Sequence, residues 1–161
     1  MDGKRGCGVL LHPTCLPGPF GIGDIGPAAR RFVDFLLDTE QTYWQILPLG
    51  HTSYGNSPYM CLSAFGGNPY LISPEVLVDD GLLDLTDLQG IPDFPAHRVD
   101  YGAAITWKMD VLRVSFERFR QQSMPKPPDD YYAFCEANAF WLEDYALFTA
   151  LKDAHGGLEW M

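Results

Sequence analysis

The apolar positions along this chain first fall into short runs cut by proline and glycine. Gly8-Val9-Leu10-Leu11 reads as a brief buried strand that stops at His12-Pro13, and the Pro- and Gly-rich segment 14–21 must be loop. Pro27, directly after Gly26, takes a favourable first helical position. From there Ala29, Phe32, Val33 and Leu36 recur at helical spacing, with Arg30, Arg31, Asp34 and Asp38 on the other side. Tyr43 to Leu47, aromatic and branched, is the next strand. A strand, a helix and a second strand parallel to the first make a βαβ unit. Parallel strands bury both faces, so further strands and helices are expected beside these two.

The pattern that follows is helical instead. After a loop over 51–70, Pro74 to Leu83 predicts a short helix and turn, and the stretch around Pro92 and Pro95 is irregular. Asp100 is placed to cap a long helix over about 102–121. Its predicted core stripe is Ile105, Met109, Leu112, Phe116 and Phe119, with Lys108, Asp110, Arg113, Glu117 and Arg120 outside it. Met124 to Pro128 breaks that helix. Asp129 or Asp130 then starts another, running through Phe140 and Tyr145 until Gly156-Gly157 stops it. Two parallel strands do not make a stable sheet alone. The order therefore reads as an α/β domain begun, a helical insertion added and the sheet left unfinished, a sign of truncation. Phe, Trp and Leu side chains meant for the missing part should be exposed, as an aggregation liability rather than a binding surface.

Composition narrows the class. A length of 161 residues fits one domain, and 47% hydrophobic with 20% charged residues is a globular balance. The formal net charge of -10 excludes a nucleic-acid partner or an anionic membrane surface, since no basic stripe exists to replace counterions. No run reaches the ~20 apolar residues that span a bilayer. Cys7, Cys15, Cys61 and Cys135 form no Cys-x-x-Cys pair and, with the four histidines, no zinc spacing. Sparse thiols and the lack of a leader point to the cytoplasm.

The chemistry on offer lies in Thr52-Ser53-Tyr54-Gly55-Asn56-Ser57-Pro58-Tyr59 and Gly67-Asn68-Pro69-Tyr70-Leu71. These residues make a shaped loop that presents tyrosines, hydroxyls and amides rather than charges, which suits a neutral, many-hydroxyl ligand such as a sugar. By residue type alone Ser57 is a turn former before Pro58, and Tyr59 is a packed tyrosine with its hydroxyl on the backbone. His12 reads as a histidine fixing the first loop, Asp24 as a cap or brace of the first helix, and Asn68 as a turn former. Among 21 carboxylates none stands in a motif that raises its pKa or sets a partner at about 5–5.5 Å, the separation of a retaining glycosidase pair. No catalytic residue and no metal ligand is nominated.

Several segments together carry a family resemblance: Gly8 to Thr14, Leu16-Pro17-Gly18, Gly21-Ile22-Gly23-Asp24, Trp44 to Leu49, Ser57-Pro58-Tyr59, Ser63 to Ile72 and Asp144 to Phe148. From about residue 5 onward the chain resembles the amylomaltases, 4-α-glucanotransferases also called disproportionating enzymes. One departure is Cys15, where a serine is more usual. The resemblance implies a (β/α)8 barrel, with residues 1–73 as the first two βα units including the substrate loop, and 74–161 as a mostly helical insertion. It implies transfer of α-1,4-glucan segments to another sugar through a covalent glycosyl-enzyme, retaining chemistry that needs no cofactor or metal. The family's nucleophile Asp, acid/base Glu and stabilising Asp belong to later strands, so this chain alone is expected to be inactive. By the same resemblance Ser57 and Tyr59 line the donor-sugar side of the cleft, and Tyr54 and Tyr101 form an aromatic pair at a second glucan groove. The partners implied are α-1,4-glucans and maltooligosaccharides. The alternative is a non-catalytic maltooligosaccharide-binding protein that kept the aromatic loop.

Overall fold

The computed structural model describes residues 5–158, and for Tyr54 the backbone only. Strand β1 (Gly8–Leu10) pairs in parallel with β2 (Tyr43–Gln45), Val9 opposite Trp44, and helix α1 (Pro27–Asp38) makes the crossover between them. Leu11 N–H extends the ladder by one bond to the Gln45 carbonyl at 3.0 Å. The strands are shorter than the apolar runs, and β1 is not buried: Leu10 is 57% exposed, because the pair has no neighbouring strand among the described residues. Helix α1 meets β2 through Phe32, whose ring stands edge-on to Trp44 at 4.9 Å. The Trp44 indole N–H donates to the Leu11 carbonyl at 2.7 Å, tying β2 to the end of β1.

Helices α2 (Pro74–Asp79), α3 (Tyr101–Ser123), α4 (Asp129–Ala137) and α5 (Ala139–Ala154) complete the fold. Asp100 does cap α3, its Oδ1 accepting from Ala103 N–H at 3.2 Å. The predicted stripe on α3 is displaced. The buried line is Ala104, Lys108, Val111 and Ser115, whereas Phe116 is 58% exposed. Lys108, expected on the solvent side, is 0% exposed. Its ammonium donates to Asp24 Oδ2 at 3.1 Å and to the Tyr70 carbonyl at 2.8 Å. Asp24 does not cap α1, whose N-cap position, Gly26, has no side-chain hydrogen bond. A lysine reads as exposed by type, and only a carboxylate 84 positions away makes its burial tolerable.

The single helix expected beyond Asp129 is broken. Asn138 leaves helical geometry (φ -111°, ψ 9°), donates from its side chain to the Phe134 carbonyl at 2.8 Å, and accepts the Trp141 indole N–H at 2.9 Å. An asparagine whose side chain satisfies a carbonyl at the end of α4 and holds the Trp141 ring of α5 separates the two helices. The core joins Ile22, Tyr70 and Ala104, with Phe94, Tyr101, Ile105 and Met109 against it. Phe20 stacks on Trp107 at 5.3 Å, which fastens the first loop to α3. Large apolar side chains are exposed on β1, β2, α1, α4 and α5, including Tyr43, Phe35, Leu37, Phe134 and Phe140. The exposed set holds Phe and Leu as expected, but none of the described tryptophans.

Burial pushes the Lys108 ammonium below its ordinary value, and the Asp24 carboxylate opposes that shift. Removing the carboxylate leaves the cation dry and unpaired. Asp24→Ala should therefore cost about 3–5 kcal/mol of stability, read as a lower denaturation midpoint, whereas Asp24→Asn, which retains an oxygen acceptor, should cost less.

Candidate functional site

The loop after β2 is built from tight turns rather than from a core. Asn68 Oδ1 accepts from Tyr70 N–H at 3.0 Å and opens a 3-10 turn over Pro69–Leu71. Ser63 Oγ accepts from Phe65 and Gly66 N–H, each at 3.0 Å. Between these turns the chain folds back on itself. Ser53 N–H bonds the Met60 carbonyl and Leu62 N–H the His51 carbonyl, both at 2.9 Å, with Thr52 facing Cys61 in an antiparallel bridge. The result is a short arm whose tip is 54–59.

At the tip Ser57 Oγ accepts from Tyr59 N–H at 3.3 Å, so Ser57 does serve as the turn former its type suggests. Tyr59 is 71% exposed and no tyrosine packed into a core. Asn56 adopts φ 53° beside Gly55 at φ 67°, two successive left-handed positions that turn the tip sharply. The side chain of Tyr54 lies outside the described residues. Tyr101, the first residue of α3, shares a cleft of about 130 Å³ with Asn56, Pro58 and Thr52 of the arm and with His12 and Leu47. His12 lies just past β1 and Leu47 just past β2, so this cleft opens at the C-terminal ends of both strands. His12 itself is held by structure: Nδ1 meets Thr14 Oγ1 at 2.7 Å and Nε2 meets the Pro48 carbonyl at 3.3 Å. The structure thus brings Tyr101 to the arm, while Ser57 and Tyr59 do not line that cleft.

Sequence reasoning missed the other side of the arm. There His51, Tyr70, Tyr145 and Asp153 border a larger cleft of about 800 Å³. His51 Nε2 lies 3.2 Å from the Tyr70 hydroxyl, and Nδ1 lies 3.4 Å from the Tyr145 hydroxyl. Burial lowers the His51 pKa, against the pull of Asp153. Burial, then the Asp153 charge, then Tyr145 raise that of Tyr70. Tyr145 is raised by burial first and by Cys61 second. Helix α5 adds ring contacts here: Phe65 stands edge-on to Phe140 at 5.2 Å and stacks on Trp141 at 6.1 Å. No motif brackets His51, so its only signal in the sequence was a histidine at the start of a polar loop.

The family model described as Glyco_hydro_77, 4-alpha-glucanotransferase, matches residues 11–161. The chain belongs to the 4-alpha-glucanotransferase family. It is 51% identical to the 4-alpha-glucanotransferase of Thermus thermophilus over 99% of its own length and 31% of that protein's. To the 4-alpha-glucanotransferase of Synechocystis sp. it is 50% identical, over 99% of the chain and 32% of the relative. Among solved structures it is similar to amylomaltase from Streptococcus agalactiae in complex with acarbose, with a TM-score of 0.89 and 38% identity, covering 98% of this chain and 32% of that one. The chain spans about a third of the length of the curated relatives it matches. Among the described residues, no group of three or more His, Cys, Asp or Glu side chains is arranged to hold a metal, and no helix is long and apolar enough to cross a membrane.

The direction of the His51 shift fixes a pH effect. Its folded pKa lies below the ordinary 6.5, so between those two values the unfolded chain binds more protons. Stability contributed by neutral His51 is present above 6.5 and is lost as pH falls through the lowered folded value. Denaturation midpoints of the wild type should fall more between about pH 7 and about pH 5 than those of His51→Gln, the shared carboxylate titrations cancelling in the comparison.

Proposed function

We propose that this chain supplies one part of a 4-α-glucanotransferase. The enzyme moves α-1,4-glucan segments to another sugar by a retaining double displacement. In this reading residues 1–73 are the first two βα units of a (β/α)8 barrel and 74–161 a mostly helical insertion. The catalytic carboxylates lie elsewhere in the longer protein, and the isolated chain is inactive. The observation that carries the reading is the likeness to the amylomaltase–acarbose structure, 0.89 in TM-score over 98% of the chain. Two features agree with it. The loop's cleft opens past the C-terminal ends of β1 and β2, the side on which barrel enzymes build their sites. The exposed apolar faces of β1, β2 and α1 suit strands and helices packed onto a continuing sheet.

Within that site Ser57 and Tyr59 contact the donor sugar, and the open Tyr59 ring is free to lie against a pyranose face. Tyr54 and Tyr101 bind glucan in a second groove, a role consistent with Tyr101 lining a cleft beside the arm. The partners are α-1,4-glucans and maltooligosaccharides. Four free cysteines fit a reducing cytoplasm.

The test is maltooligosaccharide disproportionation by the full-length protein and by the isolated chain, run side by side. Transfer by the former alone is the expected result, and transfer by the isolated 161 residues would overturn the assignment of the carboxylates. Binding of maltooligosaccharide without transfer in the full-length protein would instead favour a non-catalytic binding role. Tyr59→Ala in the full-length protein should weaken sugar use roughly tenfold in kcat/KM, the value of one aromatic contact. Its thermal midpoint should hardly move, because Tyr59 is exposed.

A further inference from the structure

Among the described residues, the arm that carries Ser57 and Tyr59 has two backbone ladder bonds along its length, Ser53 to Met60 and Leu62 to His51. Such a ladder fixes the arm internally and leaves its direction to whatever grips the base. Gly50 and Gly67 close the base with an antiparallel bridge, and neither offers a side chain. His51 is the next residue, and it grips two bodies at once. Through Nε2 it reaches the hydroxyl of Tyr70, a buried residue whose carbonyl takes the Lys108 ammonium. Through Nδ1 it reaches the hydroxyl of Tyr145 on α5. The Tyr145 ring lies over Gly66, where a Cβ would come within 2.5 Å of it, so α5 sits directly on the far side of the same loop.

We infer that His51 is a positioning residue: its imidazole, bridging the Tyr70 and Tyr145 hydroxyls, sets the direction of the 51–62 arm and thereby the presentation of Ser57 and Tyr59 to the glucan. The second half of this inference rests on the tip being a sugar contact. Histidine suits the task for a geometric reason. A neutral imidazole carries one donor and one acceptor on a rigid ring, pointing apart, and a tyrosine hydroxyl serves either role. Both nitrogens are thus satisfied whichever tautomer is present. The ring also stands edge-on to Tyr70 at 5.4 Å and 90°, so packing as well as hydrogen bonding fixes its plane.

The groups that face this bridge are the Tyr70 and Tyr145 hydroxyls, Asp153 and Lys152 from α5, Arg113 from α3 and Cys61 from the returning strand of the arm. Asp153 favours an imidazolium and burial disfavours it, with burial the larger effect.

Two variants of the full-length protein test the inference. His51→Phe keeps the ring and removes both nitrogens. Tyr145→Phe removes one hydroxyl and leaves the packing. His51→Phe should raise KM for maltooligosaccharides roughly fivefold with a smaller change in kcat, Tyr145→Phe should raise it less, and the double variant should be no worse than His51→Phe alone. Amide hydrogen exchange over 51–62 should quicken in both while that of α3 is unchanged. Unchanged exchange over 51–62 in both variants would overturn the inference whatever the enzyme does with sugar. Faster exchange with an unaltered KM would overturn the positioning role. If wild-type protein transfers no glucan, the proposed function fails by itself, and the exchange measurement still decides whether His51 holds the arm.

Discussion

The ion pair between Asp24 and Lys108 is the contact on which the remaining structure depends. It joins the loop after β1 to the middle of α3, and through the Tyr70 carbonyl it takes in the end of the 51–70 loop as well. A buried pair of this kind adds little net stability over apolar residues of equal volume, but either charge alone in the same place is costly. Any packing that slides α3 along the first loop separates the pair and leaves a charge without water. The pair therefore selects one register of α3. The Phe20–Trp107 stack and the Ile22, Tyr70 and Ala104 cluster add apolar area to the same arrangement.

That frame gives the 51–62 arm a fixed floor. Tyr70 has two jobs at once: its carbonyl belongs to the ion-pair cluster and its hydroxyl faces His51 at the base of the arm. Helix α5 forms the opposite wall through Tyr145, Trp141 and Phe140. A loop of Gly, Pro, Asn and Ser has too little apolar surface to hold itself in place. Its shape comes from short side-chain turns at Ser57, Ser63 and Asn68, and its orientation from the two bodies that flank it. A flexible composition and a defined tip are compatible because the fixing groups lie outside the tip.

Membership of the 4-alpha-glucanotransferase family and the shape of the molecule fit together. The two strands lie side by side with exposed apolar residues, and the chain corresponds to about a third of the length of its relatives. Parallel sheets are ordinarily covered on both faces. Leu10, Tyr43, Phe35 and Leu37 are exposed surfaces of the kind that such a sheet covers.

Local chemistry alone determined much of this protein. Pro27 after Gly26 started α1, Asp100 capped α3, the Pro-rich break ended it, and the paired glycines closed α5, because each signal acts within a turn of the backbone it controls. The family was legible for a related reason: the loop residues 43–72 are a dense, specific pattern of turn formers and aromatics. Which face of α3 is buried was decided only by tertiary structure, since Lys108 turns inward to meet a carboxylate far away in sequence. The break at Asn138 was a local choice between continuing and capping that the apolar pattern did not register. The bridge of His51 to Tyr70 and Tyr145 joins residues 19 and 94 positions away, and long-range polar contacts leave no period in a sequence. Periodicity reports which residues avoid water; only the assembled fold decides which polar groups can satisfy one another once water is gone.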